Sequence, residues 1–187
     1  MPYPLFQETP MRKTLLLCCC ALLLAGNAVA ADEKIDPATY ICAELVASTV
    51  SGEPPLFEGL QLDGYAAARA GAPVADPALM APLIQEVYDT CQAAPAEKVL
   101  PLWEKARKNR VVANEGPWRA DKTTCKDYAA NEEDGSGFVI WLDGYQRGKS
   151  GGSGSVLESN ESLDAFLDAC KRQPDALMLD VLAQSVK

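Results

Sequence analysis

One pattern occurs twice in this chain, and it restricts the fold more than any other feature. In the second copy, Leu142-Asp143-Gly144-Tyr145 follows Trp141, with Asp143 lying 18 residues after Cys125 and 27 before Cys170. In the first copy, Leu62-Asp63-Gly64-Tyr65 follows Gln61, with Asp63 lying 21 residues after Cys42 and 28 before Cys91. A proline stands four residues after the closing cysteine in both, at Pro95 and Pro174. A unit written as Cys…Leu-Asp-Gly-Tyr…Cys-x-x-x-Pro predicts two similar folding units in tandem.

The segment ahead of the repeats reads differently. Met11-Arg12-Lys13 is a short basic start, Thr14 to Ala25 is apolar, and Ala28-Val29-Ala30 ends in small residues. This is the layout of a secretory signal, with cleavage expected after Ala30 and Met11 a candidate start. The apolar run is shorter than the roughly 20 residues a membrane span needs. Residues 1–30 carry Cys18, Cys19, Cys20, Arg12, Lys13 and Glu8, so the remainder keeps four cysteines and a formal charge of −10. An even cysteine count in an exported protein reads as a disulfide framework, and four cysteines allow about three pairings. The repeat selects Cys42–Cys91 and Cys125–Cys170. On the chain-entropy model, loops of this size stabilise by about 4 kcal/mol each.

The acidic balance argues against nucleic acid and against an anionic membrane surface. The chain has no histidine, which removes the usual nucleophile–base pairs and the commonest metal ligand. No catalytic, metal or cofactor residue is assigned, and a non-enzymatic role is expected. Gly148-Lys149-Ser150 lacks the preceding glycine of a phosphate loop, and Glu132-Glu133-Asp134 lacks the spacing of a calcium loop.

Periodicity and caps predict an all-α chain. Asp36-Pro37 is expected to open a helix running to about Thr49. A second helix is expected from about Leu56 to Ala70, with Leu-Asp-Gly-Tyr in its middle. Gly71 to Val74 reads as a loop, and Asp76-Pro77 as the start of a third helix. There Met80, Leu83, Ile84, Val87 and Cys91 follow the i, i+3, i+4, i+7 spacing of one buried face. Pro95 is expected to start a fourth helix that Pro101 bends. The second unit repeats the plan: a short helix around Cys125, an acidic turn, a helix from Phe138 to Arg147, and a Gly/Ser loop from Gly148 to Ser155. Next come a helix carrying Leu163, Phe166, Leu167 and Cys170 and a last helix opened by Pro174. The expected layout is a signal over 1–30, a first unit over 31–108, a linker over 109–119 and a second unit over 120–187.

The Leu-Asp-Gly-Tyr elements carry two readings. Asp63 and Asp143 could serve a ligand or a pH response. Alternatively the glycines admit a neighbouring helix, the tyrosines bury their rings and the aspartates bond nearby groups. The duplication favours the second.

Tyr40-Ile41-Cys42-Ala43-Glu44-Leu45 and Thr124-Cys125-Lys126-Asp127-Tyr128, followed by Trp141-Leu142-Asp143-Gly144-Tyr145 and the Cys-x-x-x-Pro ends, resemble the HdeA/HdeB family of periplasmic acid-stress chaperones. The resemblance spans residues 36–187 in two copies, and Gln61 departs from it by standing where the family has tryptophan. It implies two four-helix HdeA-like units, each with one internal disulfide. It also implies a periplasmic chaperone that binds unfolding client proteins through apolar helix faces, with acid as its trigger. Family members are dimers that loosen in acid, whereas fused units would pack as an internal pseudo-dimer. The similar fold of small exported immunity proteins leaves a second expectation, a module that recognises one folded partner such as a secreted toxin or a secretion component. The composition permits an acid response, because protonating all 25 carboxylates would take the side-chain charge from −10 to +15.

Overall fold

Hydrophobic periods of helical length dominate the sequence, and the computed structural model is correspondingly helical. It describes residues 34–49, 52–110, 116–131 and 135–186. The expected signal segment, the Glu132–Asp134 turn and part of the expected linker lie outside them. The described helices are α1 (Cys42–Ala47), α2 (Leu56–Arg69), α3 (Pro77–Ala93), α4 (Val99–Lys108), α5 (Cys125–Ala129), α6 (Gly135–Ser150), α7 (Asn160–Arg172) and α8 (Met178–Ser185). A 3₁₀ turn covers Val156–Glu158, and two short strands, β1 (Val74–Ala75) and β2 (Trp118–Arg119), pair antiparallel. No helix among the described residues is long and apolar enough to cross a membrane.

Each half builds the same arrangement by the same bonds. Cys42 N donates to Glu97 O at 2.8 Å, and Cys125 N to Ala176 O at 3.0 Å. Ala43 N donates to Pro95 O and Lys126 N to Pro174 O, both at 2.8 Å, while Val99 N and Met178 N return to Tyr40 O and Thr123 O. The otherwise orphaned first-turn amides of α1 and α5 thus bond the loops that precede α4 and α8. Disulfides Cys42–Cys91 and Cys125–Cys170 tie α1 to α3 and α5 to α7.

Those bonds move three helix starts from where local signals put them. Asp36 caps a turn, accepting from Ala38 N at 3.0 Å, and α1 begins only at Cys42, with Glu44 reaching back to Ile41 N at 2.8 Å. Pro95 and Pro174 do not open helices, because their carbonyls are engaged by the first helix of each half; α4 and α8 start at Val99 and Met178. Pro101 falls in the first turn of α4, where a missing N–H costs no intrahelical bond, so it gives no reason for a bend.

Asp76 caps α3 through Ala78 N, and the expected face of Met80, Leu83, Ile84, Val87 and Cys91 is buried. Helix α6 is longer than expected. It takes in Gly148, Lys149 and Ser150, so the Gly/Ser loop is shorter and Gly148 packs on α2. Val74 and Trp118, assigned to a loop and to the linker, instead lie in the two strands.

Asp32–Lys187 forms one compact unit, and a single core cluster runs from Ile35 to Leu182 through both repeats. Lys34 reaches from the start of the first repeat to Glu158 in the second, at 2.7 Å. Helix α2 packs on α6 more extensively than any other pair of elements.

Candidate functional site

The crossing of α2 and α6 is where the two Leu-Asp-Gly-Tyr copies meet. A Cβ on Gly64 would lie 2.0 Å from Trp141 O, and one on Gly144 would lie 2.2 Å from Gln61 O. Gln61 and Trp141 hold equivalent places in the two copies, so the contact is reciprocal. Each glycine lets the partner helix's backbone approach, which any side chain would prevent. Gly148 extends the contact toward Tyr65 O. Leu62 and Leu142 are wholly buried beside it. Tyr145 stacks on Trp141 with ring centroids 5.3 Å apart, and burial pushes its hydroxyl pKa up. Tyr65 is only partly buried.

The two aspartates have equal burial, both at 0% exposure, and unlike surroundings. Asp63 Oδ1 accepts from Arg107 Nε at 2.7 Å and from Trp103 Nε1 at 3.2 Å. Its Oδ2 accepts from Trp141 Nε1 of the other repeat at 2.9 Å. All three partners can only donate, so the pocket is built for the carboxylate form. Arg107 is itself 8% exposed and spends a second nitrogen on Val74 O.

Asp143 faces the loop after α6. Its Oδ1 accepts from Val156 N at 2.9 Å and its Oδ2 from Ser155 Oγ at 2.8 Å. Burial pushes its carboxyl above the usual range, against the opposing pull of Ser155 and Val156. A serine hydroxyl can reverse its bond, so this site accepts a protonated carboxyl where the Asp63 site does not. The reciprocal of the Trp141–Asp63 bond is missing because Gln61 replaces tryptophan. Its amide oxygen instead accepts from Ile35 N at 3.2 Å and Arg147 Nη1 at 3.4 Å.

Neither aspartate reaches solvent, so neither can touch a substrate in this conformation. Arg107, Trp103 and Ser155 escaped the sequence reading. Trp103 and Arg107 lie four residues apart on one face of α4, a spacing that could have marked them as a pair.

The described residues line several surface depressions. A cleft of about 400 Å³ lies between α2 and α4, lined by Ala66, Arg69, Ala70, Glu104, Arg107, Lys108 and Arg110. Its cations are partly paired, Arg69 with Glu104 and Arg110 with Glu86. A mainly apolar groove of about 590 Å³ lies beside the Cys125–Cys170 disulfide, between α5, the start of α6 and α7.

Compared with known protein families, characterised proteins and solved structures, the chain matches none.

Proposed function

We propose that the chain is a non-enzymatic, chaperone-like protein of the periplasm that binds unfolding proteins and is brought into action by acid. The observation that carries this reading is the Asp63 site. One buried carboxylate ties α2, α4 and α6 together through three groups that can only donate, and so joins the two repeats. Loss of its charge would leave the buried Arg107 cation without a counter-charge, and breaking a buried pair in this way costs about 3–5 kcal/mol. Each unit's first-to-third-helix disulfide agrees with the resemblance to the HdeA/HdeB family. The fusion of both units in one chain would limit an acid response to local opening, with the repeats staying together as an internal pseudo-dimer.

The test is suppression of aggregation of an unrelated protein by the oxidised chain at pH 2 to 3 and at pH 7. Suppression in acid and little at neutrality is expected. Asp63→Asn, which removes the charge without acid, should shift suppression toward neutral pH. Absence of suppression at low pH would sink the proposal. The alternative, an immunity-type or secretion-accessory protein with one folded partner, is favoured by the groove beside Cys125–Cys170, because that groove belongs to one repeat's own residues.

A further inference from the structure

The groove beside Cys125–Cys170 can be read against the other repeat, which supplies an internal reference. Counted from the paired cysteines, Ala129 corresponds to Val46 and Leu167 to Tyr88. Counted from the Leu-Asp-Gly-Tyr copies, Ser136 corresponds to Leu56. The first repeat thus carries the bulkier side chain at all three places. There Val46 packs on the core, and Thr49 Oγ1 donates to the Tyr88 hydroxyl at 3.1 Å, closing α1 onto α3. Leu56 is 55% exposed and fills no space there, but Val46 and Tyr88 are cut down in the second repeat to Ala129 and Leu167. The space they leave has the cystine beside it and Tyr128 and Leu167 among its apolar walls. Its volume, about 590 Å³, lies within the range of formed ligand sites.

The charge at the rim changes with the shape. Lys126 and Lys171, both exposed, stand where the first repeat has Ala43 and Gln92. Asp127, next to Lys126, is committed to capping α5, accepting from Thr124 N at 3.1 Å and Thr124 Oγ1 at 2.7 Å. Lys171 is shared with Asp168 at 3.1 Å in an exposed pair of the kind that contributes little. A chain of formal charge −9 therefore sets two cations on the edge of an apolar groove.

We infer that this groove is a docking site for a polypeptide segment that places apolar side chains in the groove and a neighbouring carboxylate between Lys126 and Lys171. The inference rests on the proposed protein-binding role and names the kind of segment bound.

The experiment uses the full oxidised chain at pH 7 and fluorescence anisotropy with two labelled decapeptides. One alternates leucine with glutamate, and the other is identical except for lysine in place of glutamate. The acidic peptide should bind at least tenfold more tightly than the basic one, and its binding should weaken with added salt. The pair Ala129→Val and Leu167→Tyr, which restores the first repeat's side chains, should reduce acidic-peptide binding at least tenfold. Lys126→Glu with Lys171→Glu touches only exposed positions and should reverse the peptide preference without disturbing the disulfides. Unchanged binding in the refilled variant, or equal binding of both peptides, overturns the inference. So does a wild-type dimer that the refilled variant dissolves while no peptide binds, since the groove then serves a second copy. A fatty acid binding in the groove where no peptide does would overturn it as well. The two readings fail separately. If the refilled variant binds the acidic peptide unchanged while the wild type suppresses aggregation in acid, the groove falls and the chaperone role stands; if the refilled variant loses the peptide but the wild type suppresses nothing, the reverse holds.

Discussion

Replacing Asp63 with asparagine separates the charge of this side chain from its shape. The carboxylate offers one oxygen to Arg107 Nε and Trp103 Nε1, at 2.7 and 3.2 Å, and the other to Trp141 Nε1 at 2.9 Å. An amide has a single oxygen. Whichever way it turns, its NH₂ faces a group that can only donate, and the Arg107 cation loses its counter-charge in a site with no exposure on the aspartate side. Stranding one member of a buried pair costs about 3–5 kcal/mol. With a urea slope of about 2 kcal/mol/M, the midpoint should fall by roughly 1.5 to 2.5 M. The assay is urea unfolding of the oxidised protein at pH 7, followed by tryptophan fluorescence, because Trp103 and Trp141 both touch the substituted group. Asp143→Asn is the control. There the amide oxygen can accept from Val156 N while the NH₂ donates to Ser155 Oγ, so a change within about 1 kcal/mol is expected. Pairing Asp63→Asn with Arg107→Met should recover part of the loss, since the stranded charge is gone. Equal effects at the two aspartates, or a loss at Asp63 below about 1 kcal/mol, would refute the assignment of Asp63 as the joint between repeats.

Other outcomes follow from the same contacts. Gly64→Ala and Gly144→Ala should each destabilise by about 1–3 kcal/mol or more despite alanine's better helix propensity, because the facing backbones must withdraw by about 1.4 and 1.2 Å to reach ordinary contact. In chemical denaturation the double variant should cost less than the sum, since one separation of the helices serves both. Thiol reductant under native conditions should open Cys125–Cys170 before Cys42–Cys91. The former lines the groove and its cysteines are 4% exposed, whereas the latter's are fully covered, and alkylation with mass mapping reads the order. Because burial raises the Asp143 carboxyl, its charge burdens the folded state at neutral pH, and that burden is removed as pH falls through the folded value. The stability difference between Asp143→Asn and wild type should therefore move in favour of wild type between pH 7 and 4. Glu158 behaves oppositely. Its bond to Lys34 lowers its carboxyl pKa, so the contribution removed by Glu158→Gln is present at neutrality and fades as pH falls through that lowered value.

What the sequence disclosed and what it hid divide along the range of the interactions. The apolar stripe of α3 and its Asp76 cap are local, and they lie where periodicity puts them. The disulfide pairs were legible because duplication removed the ambiguity among the four cysteines. The starts of α1, α4 and α8 were not, because they depend on carbonyls of Pro95, Glu97, Pro174 and Ala176 that are distant in sequence from the amides they accept. The glycines signalled a close helix approach, but nothing local named the partner as the other copy of the same motif. The difference between Asp63 and Asp143 was also hidden. It arises from Trp103 and Arg107 on α4 in one half, and from Ser155 in a stretch that reads as an unstructured Gly/Ser loop in the other.

The same geometry indicates where an acid-driven opening would begin. The repeats share a core and meet backbone to backbone at Gly64 and Gly144, so separating them whole would expose the largest contact in the molecule. Helix α4 carries a cluster of cations. Lys105, Arg107 and Lys108 lie in its last turn, and Arg110 follows two residues on, with Arg69 of α2 across the cleft. At neutral pH, Asp63, Glu104 and Glu86 face three of these cations at Arg107, Arg69 and Arg110. Acid neutralises carboxylates in general, which would leave these like charges close together, with the Val74 and Pro82 carbonyls still accepting from Arg107 and Arg110. Opening of α4 would release Trp103, Val99 and Leu100, an apolar face suited to holding an unfolding chain, while both disulfides stay intact. Hydrogen exchange across pH 7 to 3.5, corrected for intrinsic rates, should then show α4 amides losing protection before those of α3 and of the α2–α6 crossing. Uniform loss of protection would mean that the unit unfolds as a whole, and the buried aspartate would then be a stabilising tie without a switching role.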